Sequence, residues 1–419
     1  MRGASMEFDI FFSISQTPVD GHTPSEAQMF TNFFDQVRAA DALGYGVAWV
    51  AEAHLSTQTQ KRTAQPVVPH WQGEVGLNVD LVQLAHRVFA QTQRIEIGSA
   101  VMNILCNGGP VAVAERVAAF CALHGLEGSE HRRLHLGFAA GRFEFNNRPY
   151  GIVPRDAVER LAWPVLKGQI FHEAAEILLR LLRREEISSE QIRPTVLRRE
   201  QFRTDAEWQA VQQAAMARDG GTTPPQAIPI PRRFSFEVLK VVPQEWRSPL
   251  LVPVIGSHDP QLQEEVNALM PVQVFNLSIT KPETIEETHQ RMTRAYHRDG
   301  GPWRRAYMPR TVMVFLNDER GLSASARTAA AEQEAKAALG AYWSALEGTI
   351  DPARIAAASE NAVIGDTDTI ASQLQERFHR DDRLMLWFDF FNHDSARVIR
   401  NMAAFMDKVA PQLGAQGAA

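Results

Sequence analysis

The stretch "GVAWVAEAHLST" (Gly46–Thr57) runs apolar through Val47, Ala48, Trp49 and Val50, then turns polar at Glu52 and His54. The apolar residues are continuous rather than alternating. That pattern suits a strand buried on both faces, as in a parallel sheet covered by helices. In an α/β barrel the active site lies at the C-terminal ends of the strands. A carboxylate and an imidazole at this point would then mark the place where the strand leaves the core for the site. Polar residues also end many ordinary strands, so the pair gains weight only if other strand ends agree.

Seven further β-rich runs flank this one: Phe8–Ile14, Ile95–Leu105, Leu134–Phe138, Leu250–Ile255, Val272–Ile279, Thr311–Leu316 and Leu384–Phe390. Helix-period stretches lie between them. Ser25–Leu43 stops at Gly44, Val111–Leu123 follows Pro110, and Phe171–Arg183 spaces Ala174, Ile177, Leu178 and Leu181 along one face. Glu283–His297, Ser323–Leu346 and Ser395–Val409 complete the set. Strand and helix alternate along nearly the whole chain, and no Gly-rich dinucleotide turn succeeds the first strand. The pattern predicts a (β/α)₈ TIM barrel with insertions in its loops, a single domain over 6–415. Three segments exceed an ordinary barrel loop: Leu55–Asn78, the charged 184–245 stretch with its breaker-rich "DGGTTPPQAIPIPRR" (219–233), and Gly348–Asp366. The 184–245 stretch reads as a surface insertion between the fourth helix and fifth strand.

The 419 residues carry a formal net charge of −6, which gives no footprint for nucleic acid or an anionic membrane surface. Two cysteines, Cys106 and Cys121, make no disulfide framework and no CxxC pair. No apolar run reaches the roughly 18–20 residues of a membrane span, and the start lacks a secretory signal pattern. A cytoplasmic protein is expected.

The same test applies to the other strand ends. The third strand, "IGSAVMNIL", holds Gly98, Ser99 and Ala100, small enough for a flat ring to approach the backbone. The fourth, "LHLGFAAGRFE", leads through Ala139, Ala140 and Gly141 to Arg142 and Glu144. The fifth, "VPVIGSHDPQ", places Gly256 and Ser257 before Asp259-Pro260, a helix start whose free N–H groups would suit a phosphate. A capped helix with no ligand explains the same residues. The eighth, "WFDFFNHD", puts Asp389, Asn392 and His393 at the same rim. Trp49, Phe138, Phe143, Phe275, Trp387 and Phe388 are candidates to wall a cavity, with plain core packing as the alternative. "FHEAAE" (171–176) lacks the second His of a zinc helix, and no GxSxG, P-loop or GxGxxG occurs. No metal site is expected.

On these segments the sequence resembles the luciferase-like flavin monooxygenases. "ADALGYGVAWVAEAHL" (40–55), "IEIGSAVMNILCNGGPVAVAERVA" (95–118), "LHLGFAAGRFEFNNRPYG" (134–151), "GDTDTIASQL" (365–374) and "LWFDFFNHDSARVIRNMAAFMDKVAPQL" (386–413) carry the resemblance. It implies an FMN-dependent monooxygenase: reduced FMN (FMNH2), delivered by a separate NAD(P)H:flavin reductase, and O2 together oxidise a small organic substrate such as an aldehyde or ketone. It implies a homodimer, for which "AERVAAFCALHGL" (114–126) is a candidate surface. It implies His54 as general base beside the flavin and Glu52 as the acid that orients it. The flavin face would lie on Ser99, Ala100 and Val101, where the family pattern has a non-proline cis peptide. The phosphate would lie at Gly256, Ser257 and Gln261. The chain departs from the pattern on the fourth strand, where Ala139-Ala140 precede Gly141 in place of a Cys-Arg pair, so Arg142 stands as the substitute cation. Two other readings stay open: a deazaflavin (F420)-dependent oxidoreductase, or a barrel that only binds flavin.

Overall fold

The computed structural model describes residues 6–347 and 360–414. The strands are β1 (Glu7–Phe12), β2 (Val47–Val50), β3 (Glu96–Ser99), β4 (Met102–Asn103), β5 (Leu134–Ala139), β6 (Thr195–Leu197), β7 (Ile228–Ile230), β8 (Leu251–Ile255), β9 (Gln273–Val274), β10 (Arg310–Leu316), β11 (Ala362–Gly365) and β12 (Arg383–Trp387). One parallel sheet runs β11-β10-β12-β1-β2-β3-β5-β8-β9. Just after β9, Asn276 bridges Arg310 of β10, with Asn276 N–H on the Pro309 carbonyl at 2.9 Å. The eight strands β1, β2, β3, β5, β8, β9, β10 and β12 therefore succeed one another round a ring. Ring contacts agree: Trp49 of β2 meets Phe275, just beyond β9, edge-on at 5.5 Å, although three strands separate β2 from β9 along the sheet.

Side-chain alternation divides each strand between two cores. Phe11, Val47, Trp49, Val254, Phe275 and Met385 fill the barrel interior. Phe12, Val50, Phe138, Ile255, Leu386 and Phe388 face the helical layer. At the N-terminal end of the barrel Asp9 accepts from Arg383 (2.6 and 3.0 Å) and from the Trp49 indole (2.7 Å), all buried.

The structure differs from the sequence pattern in four places. The third run is interrupted between β3 and β4. The helix over Ala157–Leu182 begins fourteen residues before the periodic stretch, because the run tolerates Pro164 in its interior. The helix Leu81–Phe89, capped by Asp80, lies outside every helix-period stretch named above. β11 pairs with the outer half of β10 inside the long segment Gly348–Asp366, which the pattern assigns to a loop. Much of Gly348–Asp366, and the expected domain end at 415, lie outside the described residues. Within 184–245 the chain forms the antiparallel β6–β7 pair and, between its strands, the helix Asp205–Asp219, which packs along Ala157–Leu182. Among the described residues no helix is long and apolar enough to cross a membrane.

Candidate active site

The turn after β2 is fixed by its backbone: Ala53 N–H donates to the Asn78 carbonyl, and the Asn78 side-chain amide donates to the Ala51 carbonyl at 3.1 Å. Glu52 Oε1 then meets His54 Nε2 at 3.0 Å, with only 2% and 11% of the two side chains exposed. The Leu81 N–H, at the start of its helix, donates to Glu52 Oε2 at 3.4 Å. Burial alone would lower the His54 imidazolium pKa. Hydrogen bonding and charge from Cys106 and Glu52 outweigh it and push the pKa up to about 10. Burial raises the Glu52 carboxyl, against the pull of His54 and the Leu81 amide. Both shifts run upward, so the Glu52–His54 contact holds protons more tightly than either group does alone. The general base expected from sequence would use a free lone pair on this ring, and the upward shift bears on which of the two roles, base or acid, His54 takes. Cys106, fully buried on the turn after β4, completes the cluster. Nothing in the sequence around Cys106 ties it to His54; its isolation from Cys121 speaks only against a disulfide.

Beside this cluster the strand ends carry small side chains. Ala100 N–H donates to Val50 of β2 at 2.8 Å, and the Ala100–Val101 peptide is cis. Gly256 N–H donates to the Phe138 carbonyl. A Cβ placed on Gly256 would lie 3.2 Å from Val101 and 3.3 Å from Ala139. Val101, Ala139 and Gly256 thus come together as a shallow floor that one added methyl would begin to fill. Other small residues serve packing. Gly98 leaves room for Trp49, whose ring would lie 2.5 Å from a Cβ there, and Gly137 lets the Ser99 carbonyl approach. Gly141 (φ 77°) sits against Asn103, which donates to Asn147 at 2.7 Å, and Asn147 donates to the Ala140 carbonyl at 3.1 Å.

Known proteins share this fold. The family model described as luciferase-like monooxygenase matches residues 6–215, half of the chain. The chain belongs to the luciferase-like monooxygenase family. No curated protein matches it. The monooxygenase RslO1 from Streptomyces bottropensis is similar over 97% of this chain and 99% of its own, at 16% identity and a TM-score of 0.64. The oxygenating constituent of 3,6-diketocamphane monooxygenase from Pseudomonas putida, solved with FMN, covers 98% and 100% at 13% identity and 0.55. An F420-dependent secondary alcohol dehydrogenase covers 98% and 99% at 12% identity and 0.51. At these identities the likeness is one of fold.

Within this luciferase-like fold the expected phosphate cradle is partly closed. Asp259 Oδ1 accepts from the Gln261 (2.9 Å) and Leu262 (3.2 Å) amides, so the donors expected to be free are capped by a carboxylate. Ser257 Oγ accepts from Asp259 N–H at 3.2 Å, and the Gln261 side chain reaches Glu265 at 2.8 Å. His172 of "FHEAAE" is held between Glu265 (2.8 Å) and Asp259 (3.1 Å). Burial opposes its protonation, but those two carboxylates raise its pKa to about 9. Gly256 and the Ser257 hydroxyl remain at the rim.

Of the six candidate wall aromatics, Trp49, Phe275 and Trp387 belong to the interior, while Phe138 and Phe388 point into the helical layer. Strand alternation decides this, since residues one apart face opposite ways. Phe143 packs with Trp71, Tyr342 and Phe391 above the mouth. Arg142 lies over the Phe143 ring at 5.2 Å and hydrogen-bonds Tyr342. Asp389 continues the inward series Arg383, Met385, Trp387. Its Oδ1 is buried without a partner, and burial pushes its pKa up to about 7. His393 is tied to the Thr17 carbonyl at 2.6 Å, and Asn392 caps Asp394. The 114–126 helix surface turns Val117, Ala118, Phe120 and Cys121 inward and leaves Leu123 and Leu126 exposed.

Proposed function

We propose that this chain is a flavin-dependent monooxygenase that uses reduced FMN and O2 to oxidise a small organic substrate at the barrel mouth. The observation that carries this reading is the buried Glu52–His54 contact at 3.0 Å next to a floor of small side chains, Ala100, Val101, Ala139 and Gly256. The floor would suit a flat ring, because Gly256 carries no side chain and its neighbours Val101 and Ala139 carry small ones. Val101, Ala139 and Gly256 would hold the ring, and Ser257 would meet its phosphate end. Reduced FMN supplies the electrons that activate O2.

The chain's own residues bind, exclude water and move a proton. His54, protonated beside Glu52, donates from its imidazolium toward oxygen charge that develops in the reaction, and Glu52 keeps that proton available and the ring oriented. Asp389, with a carboxyl poised near neutrality, is a second group able to hold a proton at the rim. The packing of Trp71, Phe143, Tyr342 and Phe391 above the mouth keeps water from the reacting centre. A separate NAD(P)H:flavin reductase and a homodimer belong to the same proposal.

The test is an anaerobic titration of purified protein with photoreduced FMN and, separately, with reduced deazaflavin, followed by O2 and a panel of aldehydes, ketones and aromatic acids. Saturable binding of reduced FMN with O2-dependent product is expected. Tight deazaflavin binding with hydride transfer and no O2 uptake would replace this reading. Flavin binding without turnover of any compound would leave a binding barrel. Gly256→Val should weaken reduced FMN at least about tenfold, while the fold persists by circular dichroism.

A further inference from the structure

Segments that come after four different strands meet above the barrel mouth. Trp71 lies beyond β2, Phe143 beyond β5, Tyr342 and Leu346 beyond β10, and Phe391 beyond β12, and all belong to one apolar cluster. β5 and β12 are the fourth and eighth strands of the ring and stand opposite each other. A cluster containing residues from both must cross the opening, so it is a roof. Its rings meet edge to face: Trp71 lies 6.3 Å and 82° from Tyr342, and 6.2 Å and 62° from Phe391. Below them Phe390 meets Trp387 at 4.7 Å and 75°. Aromatic walls of this kind gain geometry-specific contacts with a planar ring that an alkyl chain does not offer.

Two polar groups of this roof lack the partners they call for. The Trp71 indole N–H belongs to a residue only 7% exposed and has no acceptor. The Arg142 guanidinium has the neutral Tyr342 hydroxyl and the Phe143 face, but no carboxylate within 4 Å among the described residues. Arg132, Arg233, Arg305 and Arg383 each meet a carboxylate, while Arg310 rests on the neutral Asn361 side chain. Arg142 presents surface to solvent, yet desolvation is what lowers its pKa, the signature of a side chain standing inside a concavity. A cation in such a place is stabilised by an anion that arrives with the ligand.

We propose that the cavity under this roof selects a planar aromatic substrate bearing an anionic oxygen group, a carboxylate or ionised phenol, with the ring against Trp71, Phe143, Tyr342 and Phe391 and the anion on Arg142. This names the substrate class of the flavin reading above and rests on it for the oxidation, but not for binding itself. It also moves Arg142 from the cofactor to the substrate, since both of its partners belong to the roof rather than to the Gly256–Ser257 rim.

Equilibrium dialysis without flavin tests it, with 2-naphthoate, 4-nitro-1-naphtholate at pH 8, the neutral isostere 2-naphthamide and the aliphatic anion decanoate. Naphthoate, naphtholate or both should bind about tenfold or more tightly than naphthamide and decanoate. Which of the two is tighter distinguishes carboxylate from phenolate. Arg142→Met should erase the advantage of the anionic probes and leave naphthamide within about twofold, which also shows that the variant's cavity is intact. Decanoate as tight as naphthoate, or naphthoate indifferent to Arg142→Met, overturns the proposal. So does a variant that loses reduced FMN instead, because Arg142 would then serve the cofactor. If wild-type protein binds the anionic probes but no flavin, the monooxygenase reading fails and the ligand class stands.

Discussion

The charge on His54 decides between proton donor and proton acceptor, and it can be read without flavin. The imidazole's ordinary pKa is 6.5 and its folded value is about 10. A folded pKa above the unfolded one means that the imidazolium stabilises the fold fully below pH 6.5 and that this contribution is lost as pH rises through 10. For a side chain this enclosed the shift corresponds to about 4–5 kcal/mol at its upper bound, reduced by the cost of ionising buried Glu52. The stability advantage of wild type over His54→Gln should therefore shrink by about 2–3 kcal/mol between pH 7 and pH 10. Urea unfolding across that range measures it, and ¹³C-histidine NMR gives the pKa directly, with the His54→Gln spectrum assigning the resonance. Glu52→Gln should lower the His54 pKa by about 1–3 units. An imidazole titrating near 6.5 in wild type, or a stability difference flat with pH, would refute the raised pKa and restore His54 as a base.

Single contacts elsewhere carry their own outcomes. Glu96, held by His135 at 2.6 Å and Arg133 at 2.8 Å, has its carboxyl lowered to about 2 despite opposing burial. Its stabilisation is present above pH 4.5 and fades as pH falls through 2, so Glu96→Gln should flatten the acid limb of the unfolding curve; an unchanged limb removes that network from the account. Gly98→Ala should destabilise by about 1–3 kcal/mol, because its Cβ meets the Trp49 ring inside the barrel, and should leave reduced-FMN affinity per folded molecule unchanged. A loss of affinity at full stability would return Gly98 to the cofactor. Ser257→Ala should weaken reduced FMN by about 1–2 kcal/mol, and equal affinities would discard the hydroxyl as a phosphate ligand.

Much of the fold is legible in the sequence because burial leaves a local trace. Val47–Val50 and Leu384–Leu386 are apolar on both faces, and only a sheet covered on both sides needs that. The helix Glu26–Leu43 announces itself through Ser25, whose side chain accepts from Gln28 N–H, and Gly44, which adopts φ 90°. β11 escapes such a reading because it has four residues and a Gly-Asp-Thr sequence that resembles a helix start. The first half of Ala157–Leu182 escapes because Pro164 normally forbids what tertiary packing here tolerates.

The polar end of β2 is visible in sequence, and so is its position at the mouth, since strand polarity and barrel topology are both carried by local pattern. The upward shift of the His54 pKa is not. It depends on Cys106, 52 positions away, acting against burial that arises only when the ring closes. The same holds for the roof: Trp71, Arg142, Tyr342 and Phe391 lie on four separate loop and helix segments, and no single periodicity ties them together. Sequence alone determines which residues stand at strand ends, because that depends on neighbours along the chain. Electrostatics and cavity shape depend on neighbours through space, and only the folded barrel supplies those.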